Sequence, residues 1–137
     1  MGLDANFIVK YVDSESDIDK SGYEVGYERN CWVFNTYVIT RFKSNEDYNY
    51  KLTLNDLCDY LKLVADIIQS YKTMSEDEFE HYARISLPWY PPDRPVEHPY
   101  GDNYMYECMQ SVEFIGMLFS EVRSYPFDFE IYYSASW

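Results

Sequence analysis

The residues with the most chemical potential stand at positions 25 to 38, in the stretch VGYERNCWVFNTYV. Arg29, Asn30 and Asn35 supply polar groups there, among tyrosine, tryptophan and phenylalanine side chains. A guanidinium and amides among aromatic rings could form the wall of a ligand site, because such sites combine apolar surface with a few polar groups. The same pattern also suits a core helix whose Arg29 pairs with a nearby acid. Both interpretations stay open.

A second group of aromatic residues surrounds a proline-rich segment, residues 88 to 101, which holds five of the six prolines. Such a segment cannot be a helix interior or a central strand, so we expect an ordered loop or a connector. Its aromatic side chains could line an apolar pocket for a small, nucleotide-like ligand. The residues of this ligand-binding hypothesis are Arg29, Trp89, Tyr90, Tyr100 and Tyr104.

Recognisable catalytic motifs are missing from the sequence. His81 and His98 do not have the spacing of an H-E-x-x-H or H-x-E metal motif. The chain also lacks a G-x-S-x-G segment, a phosphate-binding G-x-x-x-x-G-K-[ST] loop and a dinucleotide fingerprint. We therefore expect no metal, no cofactor and no enzymatic activity. An enzyme with an unrecognised site remains an alternative.

Acidic residues are the most unusual feature of the composition. The chain has 24 Asp and Glu against 11 Lys and Arg, which gives a formal net charge of −13. This charge disfavours nucleic acid or an anionic membrane as a partner and favours a protein with a basic surface. The clusters that could contact such a partner are Asp13, Glu15, Asp17 and Asp19, and Glu76, Asp77, Glu78 and Glu80. Solubility alone is the other explanation of these acids.

The cysteines indicate a reducing compartment. Cys31, Cys58 and Cys108 are far apart and form no C-x-x-C pair, so a zinc knuckle or a redox dithiol is not encoded. Each falls on an apolar position of a predicted helix, where a buried free thiol is the usual state. The odd count and the lack of a leading signal segment predict a cytosolic protein, and no apolar run is long enough to span a bilayer.

The periodicity of the apolar residues predicts a single acidic α+β domain over residues 1–137, with three to four helices packed on a small sheet. The sheet is expected to form from N- and C-terminal strands that pair with each other. Capping pairs Thr53 with Asp56 and Ser75 with Glu78 mark two helix starts. The predicted elements are a strand at 5–12, helices at 25–39, 54–71, 76–85 and 103–123, and a strand at 127–133. The β-branched and aromatic content of residues 25–39 also suits a strand.

Two of these helices carry the predicted core. Their apolar residues recur at helical spacing, so one face of each should be buried against the sheet. The strongest predicted core residues are Leu61, Val64, Ile68, Val112, Ile115 and Phe119.

Several blocks together resemble a family of small uncharacterised proteins of bacteriophages and prophages. The blocks are MGLD, VGYERNCWVFNTYV, PYGDNYMYECMQSVEFIGMLF and YYSASW. Members of that family typically start M-G-L-D-M, carry Y-W-R-K-x-N-x-I-H-x-W-F and end with tyrosines before S-S-W. Tyr27 and Arg29 match the central pattern, whereas Asn30 replaces its lysine and Asn35 its histidine. Because an amide does not take up a proton near neutral pH, acid–base chemistry at Asn35 is not expected.

The resemblance implies a phage or mobile-element product in the cytoplasm of a bacterial host, and it implies no particular activity. Together with the acidity it leads to a functional hypothesis. A folded protein with carboxylates along one face could occupy the nucleic-acid-binding groove of a host defence or nucleic-acid-handling protein, because duplex DNA presents one charge per ~1.7 Å of axis. The alternative is a protein that binds or sequesters a small ligand.

Overall fold

The computed structural model describes residues 2–11, 22–45, 49–92, 97–125 and 128–137. These residues form four strands and four helices, which confirms the predicted α+β domain. In chain order the elements are β1 (Asp4–Tyr11), β2 (Tyr23–Arg29), α1 (Trp32–Arg41), β3 (Tyr50–Leu52), α2 (Leu54–Thr73), α3 (Glu76–Ser86), α4 (Asp102–Val122) and β4 (Phe129–Ser136).

The four described strands form one antiparallel sheet in the order β2-β1-β4-β3. β1 and β4 pair from Asp4 opposite Ser136 to Tyr11 opposite Phe129, so the predicted pairing of the two chain ends is confirmed. Alternation explains the register, because Phe7, Val9 and Ile131 all face the core while their neighbours face outward. The flanking strands β2 and β3 were not predicted.

The prediction of a helix over residues 25–39 is wrong in its first part. Residues up to Arg29 belong to β2, and the helix starts at Trp32. Two backbone positions cause the change. Gly26 has φ +72 at a register shift in the pairing with β1, and Asn30 has φ +60 and donates its backbone N–H to the Leu3 carbonyl at 2.7 Å. Asn30 therefore ends the strand and redirects the chain into α1.

The other three predicted helices are confirmed. Thr53 Oγ1 accepts from the Asp56 backbone N–H, and Asp56 Oδ2 accepts from the Thr53 backbone N–H, which is the predicted capping box of α2. Ser75 Oγ accepts from the Glu78 backbone N–H at the start of α3. α4 runs to Val122, and the described parts of the proline-rich segment form neither helix nor strand.

The predicted core residues are only partly correct. Val64 and Ile115 are fully buried, but the other four are half-buried: Leu61, Ile68, Val112 and Phe119. Each helix is rotated so that a neighbouring row faces inward, with Tyr60 on α2 and Phe114 on α4. Tyr60 can be buried because its hydroxyl donates to Ser111 Oγ at 2.7 Å, and that serine donates to the Cys108 carbonyl.

An aromatic cluster joins the sheet to the helices. Phe114 of α4 stacks on Phe7 of β1 at a centroid distance of 4.3 Å, and Phe34 of α1 contacts Tyr133 of β4 edge-on at 5.1 Å. α1 is buried on nearly all sides, from Trp32 to Val38. The helices that contact the sheet through these rings are thus α1 and α4, while Tyr60 of α2 contacts Phe34 at 4.9 Å.

The prediction of three buried thiols also needs a correction. Cys31 and Cys108 are buried, but Cys58 is exposed, because it lies about 100° around the α2 axis from the buried Leu57 and faces solvent. Within the described ranges, no helix combines the length and apolar character that crossing a bilayer requires.

Candidate functional site

An acidic cleft lies where the end of α2, the first turns of α3 and the turn before α4 meet. Its volume is about 340 Å³. The cleft combines carboxylates with aromatic rings, and its lining residues are Tyr71, Met74, Ser75, Glu76, Asp77, Phe79, Glu80, His98, Tyr100 and Gly101.

The carboxylates of the acidic cleft stand at the N-terminus of α3 for a physical reason. The backbone N–H groups of the first helical turn carry partial positive charge, which favours acids there. Glu76, Asp77 and Glu78 occupy that turn and are exposed. His98 Nδ1 lies 3.5 Å from Glu76 Oε2, and Arg84 lies 3.5 Å from Glu80, so these two described basic side chains make exposed contacts with the acids. Exposed pairs are weak and can exchange for another cation.

Aromatic contacts hold the opposite side of the acidic cleft. Tyr71 packs edge-on against Phe79 with a centroid distance of 5.1 Å, and its hydroxyl donates to Asp102 Oδ1 at 2.6 Å. The hydrogen bond to Asp102 raises the pKa of Tyr71, so the phenol stays protonated at neutral pH. Tyr100 packs edge-on against Tyr104 at 4.9 Å. The rings are therefore fixed from behind and present their remaining surface to the cleft.

A second cavity, the Arg29 cavity, lies between the β2–α1 junction, the segment after α3 and the start of α4. Its volume is about 540 Å³. The lining residues are Arg29, Asn30, Trp32, Trp89, Pro91, Pro92, Asn103, Tyr106, Glu107 and Gln110.

Glu107 fixes the walls of the Arg29 cavity. Its Oε1 accepts from the backbone N–H groups of Trp32 at 2.6 Å and Val33 at 3.2 Å, at the start of α1. Its Oε2 accepts from the Trp89 indole N–H at 2.9 Å. Since Cys31, the N-cap of α1, makes no side-chain capping bond, this carboxylate takes over the capping role. Both tryptophans are held in place by one acidic side chain.

The polar groups of the Arg29 cavity differ in how far they are engaged. Asn30 Oδ1 accepts from the Leu3 backbone N–H at 2.9 Å, which leaves the side-chain N–H donors of Asn30. Gln110 Nε2 donates to Glu28 Oε2 and to the Arg29 carbonyl, which leaves its acceptor Oε1. Among the described residues, no carboxylate lies within salt-bridge distance of the Arg29 guanidinium. The expected pairing of Arg29 with an acid is therefore not found there.

The structure divides the residues of the ligand-binding hypothesis. Arg29 and Trp89 line the Arg29 cavity, whereas Tyr100 lines the acidic cleft. Tyr104 is fully buried, with its hydroxyl bonded to the Leu87 carbonyl, so it cannot contact a ligand. Tyr90 is 59% exposed and lines neither cavity.

The structure also separates the predicted acids. Glu76, Asp77 and Glu80 line the acidic cleft, and Glu78 is exposed beside it. Asp13, Glu15, Asp17 and Asp19 lie outside the described residues. The sequence did not single out Tyr71 and Phe79 as cleft residues, or Asn103, Tyr106 and Gln110 as cavity residues. Trp32 belongs to the stretch at residues 25–38 for which a ligand-site wall was one of the two interpretations, and it does line the cavity.

The buried groups nearby are structural. Asn35 Oδ1 accepts from the Tyr133 hydroxyl at 2.9 Å in the core, so this amide connects α1 to β4. Burial raises the pKa of Cys108 to about 12, and burial raises the pKa of Cys31 as well, so both thiols are protonated at neutral pH. Among the described residues, no three His, Cys, Asp or Glu side chains are grouped so that they could hold a metal ion.

The chain was compared with family models, curated proteins and solved structures. No family model, no curated protein and no solved structure matches this chain.

Proposed function

We propose that this protein is an acidic inhibitor that occupies the nucleic-acid-binding groove of a bacterial protein with a basic surface. The observation that carries the proposal is the acidic cleft, in which three carboxylates and three aromatic rings line one volume of about 340 Å³. The choice of a bacterial partner, and of the host cytoplasm as the place of action, rests on the resemblance of the sequence blocks to phage proteins.

The acidic cleft has the chemistry to accept a Lys or Arg side chain. Glu76, Asp77 and Glu80 supply negative charge. Tyr71 is 37% exposed and supplies most of the ring surface, because Phe79 and Tyr100 are nearly fully buried. A cation between carboxylates and ring faces gains from ion pairing and from the ring quadrupoles. A basic side chain from a partner would also displace the weak, exposed contact between Glu76 and His98. Such a buried, aromatic-lined anchor is typical of interface hot spots.

The charge density of α3 is comparable to that of duplex DNA. Glu76, Asp77, Glu78 and Glu80 span four residue steps, or about 6 Å of helix axis at the usual rise. Duplex DNA presents one charge per ~1.7 Å of axis, so a groove built for phosphates meets a similar linear density of charge here. The net charge of −13 would also steer the chain toward a basic partner.

The experiment compares two variants that each lose four negative charges. The cleft variant carries Glu76→Gln, Asp77→Asn, Glu78→Gln and Glu80→Gln. The control variant carries Glu24→Gln, Asp59→Asn, Glu113→Gln and Asp128→Asn, all at exposed positions outside the acidic cleft. Each chain is used to capture proteins from a bacterial lysate, and the captured protein is then purified for competition with duplex DNA.

The proposal predicts that parent and control retain a protein that duplex DNA displaces. The cleft variant should bind this protein at least about tenfold more weakly, mainly through slower association, and the parent complex should weaken steeply between about 0.05 M and about 0.5 M salt. Melting temperatures report whether each variant is folded. Equal losses in the two variants, or a captured protein that DNA does not displace, would overturn the proposal.

A further inference from the structure

We propose that the Arg29 cavity is a binding site for a nucleoside monophosphate, with the phosphate at Arg29 and the base against the tryptophan wall. This inference is independent of the inhibitor function, because it rests on a different surface with different chemistry. The cavity of about 540 Å³ lies within the range of ~300–1,000 Å³ that is usual for small-molecule sites.

The phosphate end is defined by hydrogen-bond donors. Arg29 is exposed, and no described carboxylate engages its guanidinium, so its paired N–H groups can bind two oxygens of one phosphate. Asn30 adds side-chain N–H donors next to it, because its Oδ1 is already held by the Leu3 backbone N–H. The positive φ of Asn30 ends the strand at this point, and Arg29 and Asn30 both line the cavity.

The base end is defined by rings whose positions are fixed before a ligand arrives. Trp32 and Trp89 are nearly fully buried and each bonds to Glu107, Trp32 through its backbone and Trp89 through its indole. Tyr106 lies at the rim and is 71% exposed, so its ring can stack on a base without any change in the packing of the core. The exposed ring of Tyr106 can stack on any nucleobase, because every base has a π face, while Trp32 and Trp89 line the cavity with the little surface they expose.

Amide groups between these two ends can read the edge of a base. Asn103 is exposed on the first turn of α4 and offers both a donor and an acceptor. Gln110 offers only its acceptor Oε1, since its Nε2 already donates to Glu28 and to the Arg29 carbonyl. The combination suits a base edge that carries at least one N–H donor.

Charge limits the ligand to a single phosphate. Arg29 is the one cationic side chain among the described residues that line the cavity. The Glu107 carboxylate is nearby, but its oxygens accept hydrogen bonds from the start of α1 and from Trp89. Among the described lining residues, a diphosphate or triphosphate would find no second cation, and its added negative charge is disfavoured on a chain that already carries −13.

Isothermal titration calorimetry with AMP, GMP, CMP and UMP tests the proposal on the full chain, and quenching of tryptophan fluorescence gives a second readout. Adenosine tests the base without the phosphate, ribose 5-phosphate tests the phosphate without the base, and ATP tests the charge limit. At least one monophosphate should bind with a Kd below about 1 mM, and its truncated forms and its triphosphate should each bind at least about tenfold more weakly.

Two variants locate the site, and a third is the control. Arg29→Gln should weaken the monophosphate at least about tenfold. Asn103→Asp should also weaken it, and because an acid in the first turn of α4 suits the helix dipole, the variant should stay folded, which its melting temperature checks. Arg123→Gln removes an equally exposed arginine outside the cavity and should bind like the parent.

The outcomes separate this site from the acidic cleft. The cleft variant with four neutral amides should bind the monophosphate at least as tightly as the parent, and Arg29→Gln should leave capture of a basic protein unchanged. The inference is overturned if no monophosphate binds at about 1 mM, or if binding is the same in Arg29→Gln and Asn103→Asp as in Arg123→Gln.

Discussion

The indole N–H of Trp89 donates a hydrogen bond of 2.9 Å to Glu107, and the other oxygen of the same carboxylate caps the start of α1 through Trp32 and Val33. One side chain of α4 therefore joins two segments that are far apart in the sequence. An acceptor that serves three donors in a partly buried place should contribute both to stability and to the shape of the Arg29 cavity.

Replacing Glu107 with alanine should lower the free energy of unfolding by on the order of 2–4 kcal/mol, because three donors lose their acceptor. Glu107→Gln should cost less, since its carbonyl oxygen can still accept from one of these donors. Urea denaturation followed by circular dichroism measures both changes. Glu113→Ala, an exposed acid on the same helix, should stay within about 0.5 kcal/mol of the parent. Similar losses for Glu107→Ala and Glu113→Ala would contradict this role of Glu107.

The rotation of α4 predicts different costs for two phenylalanines on that helix. Phe114 is fully buried and stacks on Phe7, so Phe114→Ala should cost about 3–5 kcal/mol. Phe119 is half-buried, so Phe119→Ala should cost roughly half as much. Chemical denaturation of the two variants under identical conditions gives the comparison. An equal or larger cost at Phe119 would mean that α4 turns its other row of apolar residues toward the sheet.

The outline of the fold could be predicted because its signals are local. The capping box of Thr53 and Asp56 and the alternation at residues 129–133 depend on near neighbours in the chain. The β2–α1 junction could not be predicted, because a strand that ends at a left-handed asparagine has the same apolar residues as a longer helix. The positive φ of Asn30 depends on its hydrogen bonds with Leu3, 27 residues away.

The cavities could be predicted only in part, because they depend on which side of each helix faces inward. Tyr104 and Tyr106 differ by two positions, which is about 200° around a helix axis. That rotation places Tyr104 in the core and Tyr106 at the rim of the Arg29 cavity. A count of aromatic residues near the proline-rich segment cannot distinguish the two. Similarly, Arg29 and Trp89 are far apart in the sequence but line one cavity, where Glu107 accepts hydrogen bonds from the Trp32 backbone and the Trp89 indole.

Substitution of two glycines by alanine should change the stability in opposite directions. Gly26 has φ +72, which an L-residue tolerates poorly, although a Cβ there would make only ordinary contacts with Met117 and Phe114. Gly26→Ala should therefore cost about 1–2 kcal/mol from backbone conformation alone. Gly116 lies on the exposed side of α4 with open space around it, so Gly116→Ala should stabilise the chain by up to about 1 kcal/mol. Thermal and urea unfolding measure both changes. If Gly26→Ala left the stability unchanged, residue 26 would not have the positive φ on which this prediction rests.

The burial of Glu28 should make the stability of the folded chain depend on pH. Its side chain is buried beneath α4, where Gln110 Nε2 donates to it, and burial raises the pKa of its carboxyl above the ordinary value. Because the folded-state pKa is then higher than the unfolded-state pKa, the folded chain binds more protons between the two values. The contribution of Glu28 to the free energy of unfolding should consequently fall as the pH rises from the ordinary carboxyl range through the raised pKa.

The matched variant for this prediction is Glu28→Gln, which keeps an acceptor for Gln110 but cannot ionise. Urea denaturation of parent and variant is measured from about pH 4 to about pH 8. In the difference between their free energies of unfolding, the contributions of the other titrating groups cancel, because both chains share these groups. The stability of the variant relative to the parent should rise with pH through this window and then level off above the raised pKa. A constant difference would show that the Glu28 carboxylate is as stable in the folded chain as in the unfolded one, and a change in the opposite direction would show that folding stabilises it; either result contradicts the prediction.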